Sequence, residues 1–384
     1  MDEERAGTER LARFALAALV LIFPLVYLVK VVTGERVPVP QRADPAWIHL
    51  VLITVGDWSQ PTFEPESPAL VQMLQRGVFV GPIYSASDDP GASAASLWTG
   101  RYPANSGVQS SSQALPFGAW TLAEGARRSG YRTAAFLQQP FATRQNIGGF
   151  DQVIEGESLD VERLSQLADS FLRQHPDQRR LLWLHLERAG RDLADVDALL
   201  GAVQATLADT GDEVDTLTMV TGLTGSPRGW MEARCRVPLM MELPTQLSAR
   251  SRSSSHLSLV DATGLLRLLM RLPNPDAGAG ESALQSRGET LWNAVKGVEV
   301  FEWVWIEGEF GHVMRRPGLR VQVDPAPPDQ VPTRDLRILN GTQASGQSMP
   351  HLSPADERGA LEAYLSVRKQ VYEGATEPID ALGG

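Results

Sequence analysis

Cysteine and lysine are almost missing from this sequence. Its 384 residues include one cysteine, Cys235, and three lysines, Lys30, Lys296 and Lys369. A single cysteine cannot close an intramolecular disulfide, and it excludes zinc or iron–sulfur centres built on several thiolates. The six histidines are scattered from His49 to His351 with no metal-ligand spacing among them. Three lysines leave little room for lysine-based covalent or acid–base chemistry. Basic excess is lacking as well: 35 Lys+Arg stand against 46 Asp+Glu, for a net charge of −11. Nucleic acid is bound by basic stripes, so this balance argues against it as a partner. What is present is an ordinary globular composition, 43% apolar and 21% charged. The length allows one large domain or two ordinary ones.

The N-terminus departs from that average. Residues 14–29 form an unbroken apolar run, and 11–32 are interrupted only by Arg13 and Lys30. At about 1.5 Å per residue such a helix reaches about 33 Å, enough for a hydrocarbon core of about 30 Å. Arg13 and Lys30 sit near its ends, where long basic side chains snorkel, and Pro24 is tolerated in membrane helices. A cleaved signal peptide is the competing reading, but its apolar core is shorter, and Val32-Thr33-Gly34 is a poor cleavage site. A buried soluble helix would show a polar face, which is missing here. The expectation is a single-pass anchor over 11–32 behind a flank of 1–10, with an extended linker over 33–45. Basic residues lie on both sides of the span, so charge does not set its orientation.

From Trp47 onward, strand-like and helix-like segments alternate. Residues 48–55 are a nearly continuous β-favouring run, as in a strand buried on both faces of a parallel sheet. Ser67-Pro68 opens a helix that stops at Gly77, and 122–129 form another that stops at Gly130. Strands are predicted over 131–136, 181–186 and 215–221, and helices over 195–207 and 260–272. Beyond about residue 290, stretches 298–305 and 312–323 read as antiparallel strands around Gly308 and Gly311. A proline-rich link follows over 324–333, and Ser353-Pro354 starts a C-terminal helix. This pattern predicts an α/β fold over 46–290, a three-layer sandwich with a mostly parallel central sheet. A smaller subdomain over 291–384 adds an antiparallel sheet and the terminal helix. Ligands of such sheets bind beyond the carboxyl ends of the strands.

One segment is specific: Ala95-Ser96-Leu97-Trp98-Thr99-Gly100-Arg101-Tyr102-Pro103, followed by Gly107-Val108. It resembles the run just after the nucleophile in the sulfatases of the alkaline phosphatase superfamily. Other blocks match in order: 51–57 with that family's first strand, 67–86 with the helix and strand before the nucleophile, and 121–136 with its Thr-Leu-Ala-Glu…Gly-Tyr-Arg-Thr-Ala segment. Residues 215–221 match the late metal-site strand, and Arg236-Val237-Pro238-Leu239 matches the strand beyond it. The resemblance covers roughly residues 46–270.

It implies definite chemistry. The family's nucleophile is a Cys or Ser, or a Thr in related transferases. A divalent cation, commonly Ca²⁺, is held by two Asp after the first strand and an Asp-His or Asp-Asn pair after the late strand. Hard cations need about six to eight oxygen ligands, mostly carboxylate. Position by position, this chain departs from the pattern. Gly56-Asp57 stands where the family has Asp-Asp, and Gly222-Leu223-Thr224-Gly225 where it has Ser-Asp-His-Gly. Asp57 is then the only retained ligand position, and Leu223 puts an isobutyl group in place of a carboxylate. The nucleophile motif falls on Pro90-Gly91-Ala92-Ser93-Ala94: Ser93 matches, the nucleophile is Pro90, and proline offers none. A slipped register using Ser87 or Asp89 conflicts with the ungapped flanks. His185 resembles a strand-end family His but reads first as a buried, hydrogen-bonded structural imidazole, while Arg228 lies near a substrate-binding Lys at a spacing off by one. Asp57 itself serves as readily as a turn residue, and Arg101 signals retention of the fold.

The expected protein is therefore membrane-anchored, sulfatase-like and catalytically inactive, a binding, scaffold or regulatory module. No cofactor is expected. Its partner would be a protein or an anionic glycan, besides the membrane through 11–32. Two alternatives stand beside it: a hydrolase or transferase of sulfate or phosphate esters with an altered site, which would use Ca²⁺, and a purely structural extracytoplasmic domain. Exported relatives suggest an extracytoplasmic body on a bacterial inner membrane. A cleft lined by Asp57, Ser93, Arg101 and His185 would favour binding, and one plugged by Leu223 would favour structure.

Overall fold

Aliphatic runs without polar alternation form the central strands of the computed structural model, which describes residues 48–58, 67–174, 176–188, 193–225, 234–247, 251–253, 257–273, 280–298, 300, 304–308, 311–316, 319–323 and 336–340. All of these belong to one compact unit, Arg42–Gly384. The main sheet contains β1 (His49–Asp57), β2 (Val78–Tyr84), β3 (Arg132–Leu137), β4 (Gln152–Glu155), β5 (Arg180–Arg188), β6 (Thr216–Thr224), β7 (Arg236–Glu242), β8 (Ser251–Ser253) and β9 (Leu257–Ser258). Their order is β4-β3-β5-β1-β6-β7-β2-β8, with β9 also pairing β2. Every pair is parallel except those of β7 with β6 and with β2.

The helices are α1 (Pro68–Arg76), α2 (Pro90–Thr99), α3 (Pro103–Ser106), α4 (Leu122–Arg128), α5 (Phe141–Arg144), α6 (Val161–Gln174), α7 (Ala194–Thr210), α8 (Val260–Met270) and α9 (Gly280–Val295). Alternate residues of each central strand serve opposite faces. Val51, Ile53 and Val55 of β1 join Leu182, Leu184 and Leu186 of β5 in a core with Leu70 and Met73 of α1, Leu164 and Phe171 of α6, and Val196, Leu199 and Val203 of α7. The other face meets α2, α4, α8 and α9. There Trp98 of α2 lies 4.9 Å from the Trp183 ring, and the Thr263 hydroxyl of α8 donates to the Leu97 carbonyl. Burial on both faces explains why β1 and β5 carry no polar alternation, and in β6 the four threonines are buried with the apolar residues.

A second sheet, β10 (Val304–Gly308), β11 (Gly311–Arg316), β12 (Leu319–Val323) and β13 (Leu336–Asn340), is wholly antiparallel. It corrects the expectation of one strand over 312–323, because Arg316 pairs Leu319 across Pro317-Gly318 and the stretch folds back as a hairpin. The predicted turn between Gly308 and Gly311 is present, as these two residues pair. β10 is docked on the main fold. The Glu307 amide donates to the Ala86 carbonyl at 2.8 Å, and the buried Glu307 carboxylate accepts from the Ala104 amide and from Trp305 Nε1, both at 2.8 Å. The predicted anchor 11–32, the linker, the proline-rich link and the C-terminal helix lie outside the described residues. Among the described residues no helix is long and apolar enough to cross a membrane.

Candidate functional site

In a parallel sheet the helix that follows a strand presents its free N–H groups at the strands' carboxyl edge, and an anion binds there. Here that helix is α2, and its N-terminus is filled. Pro90 has no N–H. The Gly91 amide donates to Ser111 Oγ at 3.1 Å, the Ala92 amide to Asp89 Oδ1 at 2.9 Å, and the Ser93 amide to the Asp89 carbonyl. Ser111 Oγ in turn donates to Asp89 Oδ1 at 2.7 Å. Asp89 is thus the N-cap, and its carboxylate stands where an external anion would meet the helix. The loop carrying Ser111 is pinned from below, since Gln145 Nε2 donates to the Ser111 carbonyl. It also lies directly on the helix: a Cβ at Gly91 would meet Ser111 Oγ at 2.7 Å. The Asp-Pro pair was the signal for this cap in the sequence. The role of Ser111, 22 positions further on, had none.

The remaining predicted positions are equally committed. Ser93 is buried and its Oγ donates to the Ser87 carbonyl at 2.8 Å. Asp88 pairs with Arg234 at 2.9 Å. At the end of β1, a Cβ on Gly56 would come 2.3 Å from the Glu187 carbonyl oxygen, so no side chain fits there without the neighbouring strand moving. Asp57 Oδ1 accepts from the Thr224 hydroxyl at 2.9 Å, and the same hydroxyl lies 2.6 Å from the Gly56 carbonyl. Leu223 is fully buried. Trp58, which carries no signal in the sequence, is buried as well: its amide donates to the Thr224 carbonyl, and a Cβ on Gly222 would come 3.2 Å from the Trp58 Cβ.

His185 sits opposite Thr54 in the β1–β5 register, three residues short of the Asp57–Arg188 pair. It is fully buried. One ring nitrogen, Nδ1, lies 2.9 Å from Thr54 Oγ1, which also accepts from Trp183 Nε1. Burial lowers its pKa to about 3, so the imidazole is neutral. Arg101 is exposed past the C-terminal end of α2, roughly 12 Å of helix from Ser93. Asp57, Ser93, Arg101 and His185 therefore do not converge on one cleft. Arg228 lies outside the described residues.

A divalent cation does not fit this donor set. The four family ligand positions supply one carboxylate, one hydroxyl already bonded to it, a leucine and a glycine, against the six to eight or so oxygens a hard cation requires. Among the described residues no group of three or more His, Cys, Asp or Glu could hold a metal ion.

No family model matches the chain, and no curated protein matches it in sequence. Solved structures do match it in fold. The phosphonate monoester hydrolase of Agrobacterium radiobacter is 15% identical with a TM-score of 0.64, covering 84% of this chain and 96% of its own. A Pseudoalteromonas sulfatase is 15% identical with a TM-score of 0.62, over 92% and 94% of the two chains. An alkaline phosphatase superfamily protein of Vibrio parahaemolyticus is 12% identical with a TM-score of 0.60, over 85% and 87%. The protein has the fold that these sulfatases and alkaline phosphatase superfamily members share. That agrees with the resemblance read from the Ala95–Pro103 segment.

Proposed function

We propose that this chain is a catalytically inactive protein of sulfatase fold, held at a membrane by residues 11–32 with its body extracytoplasmic, and that, with the family cleft closed, any scaffold or regulatory role is carried by a surface away from that cleft. One observation carries the reading: the N-terminus of α2, the place that would receive a sulfate or phosphate ester, already holds the Asp89 carboxylate and the Ser111 hydroxyl. The charged oxygens of a sulfate or phosphate ester brought beside Asp89 meet like charge in a partly buried setting, which is strongly unfavourable without a cation between them. The ligand positions that would hold such a cation are blocked sterically at Gly56 and chemically at Leu223. At the family's nucleophile position Pro90 offers none, and the neighbouring Ser93 is buried and bonded to the Ser87 carbonyl.

The test is turnover of aryl sulfate and aryl phosphate by the full chain in detergent, together with calcium binding by titration calorimetry. The expected result is no turnover above buffer and no stoichiometric calcium. Turnover abolished by Asp57→Ala, or tight calcium binding, would overturn the reading. Protection of 11–32 from protease in reconstituted vesicles, with the mature chain starting before Leu11, is the expected outcome for the anchor.

A further inference from the structure

The opposite edge of the sheet has different chemistry. β3, β4 and β5 run parallel, so the residues leading into them, Tyr131-Arg132, Asp151 and Gln178-Arg179, come to one edge. With Arg127 and Gly130 at the end of α4, and with Asp177, they line a groove of about 490 Å³. Three guanidiniums gather there in a chain of net charge −11. Each is oriented by the protein and keeps donors in reserve. Arg179 lies 4.6 Å over the Tyr131 ring and donates through Nη2 to the Ser129 carbonyl. Burial raises the Tyr131 pKa to about 12, so the ring under Arg179 stays a neutral phenol. Arg132 Nε donates to Gln178 Oε1 at 2.7 Å, and its two terminal nitrogens take no protein partner among the described residues. Arg127 forks onto Glu124 through Nε and Nη2, leaving Nη1.

Planar guanidiniums fixed at one end and open at the other match the geometry of tetrahedral oxyanions. The carboxylates narrow the ligand class. Asp151 accepts from the Thr133 amide through Oδ2 at 3.1 Å and keeps acceptor capacity for a ligand hydroxyl. Asp177 has no protein partner among the described residues and would repel a bare anion unless a donor lay between. We propose that this groove binds a polyol carrying a phosphate or sulfate ester, mono- or diester, with Arg127, Arg132 and Arg179 taking the oxyanion and Asp177 accepting from a neighbouring hydroxyl. Two carriers supply that group, a glycerophosphate lipid headgroup and a soluble sugar ester. The proposal is independent of whether the site at the other edge is closed.

The test titrates the full chain, in neutral detergent, with glycerol phosphate and with inorganic phosphate, and measures its thermal midpoint in micelles doped with phosphatidylglycerol or with phosphatidylcholine. Saturable binding of glycerol phosphate, tighter than that of inorganic phosphate, is expected. Arg132→Glu and Arg127→Glu should each weaken it by about tenfold or more with the near-ultraviolet circular dichroism unchanged. Arg163→Glu, on α6 at the far edge, should leave it alone. Binding of the free ester identifies a soluble ligand. A midpoint raised only by phosphatidylglycerol, and lost in Arg132→Glu, identifies the headgroup. The proposal falls if neither probe acts, or if the response survives both arginine substitutions. Inorganic phosphate binding as tightly as the ester would remove the polyol.

Discussion

The two edges of the parallel sheet treat polar groups in opposite ways. At the carboxyl edge, Asp89, Ser111, Ser93, Thr224 and Asp57 are bonded to one another or to backbone. At the amino edge, Arg127, Arg132 and Arg179 are each oriented by one or two partners and retain unused donors. The fold places binding sites at the carboxyl edge because helix N-termini there need partners. Once a chain supplies those partners internally, the topology survives and the ligand site does not. Recognition then depends on which groups remain unsatisfied.

The largest expected effect comes from trying to rebuild the family site. Gly56→Asp should destabilise the protein by roughly 3–5 kcal/mol, since its Cβ meets the Glu187 carbonyl, and Leu223→Asp by a similar amount through a buried unpaired charge. Denaturant unfolding measures both. Either variant folding with wild-type stability and binding calcium would erase the contrast between the edges.

Next is a pH effect where β10 docks beside α3. Burial raises the Glu307 pKa from 4.5 to about 7. Its folded-state pKa lies above the unfolded value, so stability is full below about pH 4.5 and is lost as pH rises to about 7. The loss is on the order of 2–3 kcal/mol. His185 and His49 act in the other direction. Their pKa values are lowered from 6.5 to about 3 and about 4, so their contribution is present above pH 6.5 and is lost on acidification. Glu307→Gln should abolish the loss on the alkaline side, even though Gln cannot accept from both Ala104 and Trp305. Stability measured from pH 4 to 8 shows it; a slope unchanged in the variant would contradict the burial argument.

Smaller still, Asp89→Ala should cost about 1–2 kcal/mol as a lost N-cap, without conferring turnover. Turnover gained by that substitution would mean that the carboxylate alone had blocked a competent site. Last, Phe117→Ser should change stability by less than about 0.5 kcal/mol, because this side chain is 99% exposed. A larger loss would show that the uncharged loop over α2 is held by more than its hydrogen bonds to Asp89, Gly91, Gln145 and Asn146.

Much of the architecture was legible in local pattern. Ser67-Pro68 with Gly77, the β-favouring runs of β1, β5 and β6, and the stripe of Leu199, Leu200, Val203 and Leu207 each announce an element through period or cap chemistry. α6 was missed, although Leu164, Ala168, Phe171 and Leu172 form a buried stripe, because its charged exposed residues lower the average apolarity. α9 was missed as well. The hairpin at Pro317-Gly318 was read through as continuous strand, since β-favouring residues flank the turn on both sides. At the candidate site, the residues that depart from the family pattern could be named in advance, but the groups that fill the space could not. Asp89 with Pro90 carried a cap signature. Ser111, Trp58 and Glu307 reach the site from distant positions and carried none.

By itself the sequence determined the parallel α/β order, the departures at Gly56, Pro90 and Leu223, and the apolar N-terminal segment, because composition, periodicity and residue identity are local properties. Only the tertiary structure decided that Ser93 and His185 are sealed, that Ser111 closes the α2 N-terminus, and that three arginines from separate segments share one groove. Those outcomes depend on strand register and on which loops meet across the sheet edges. Contacts between residues tens of positions apart leave no periodic trace along the chain.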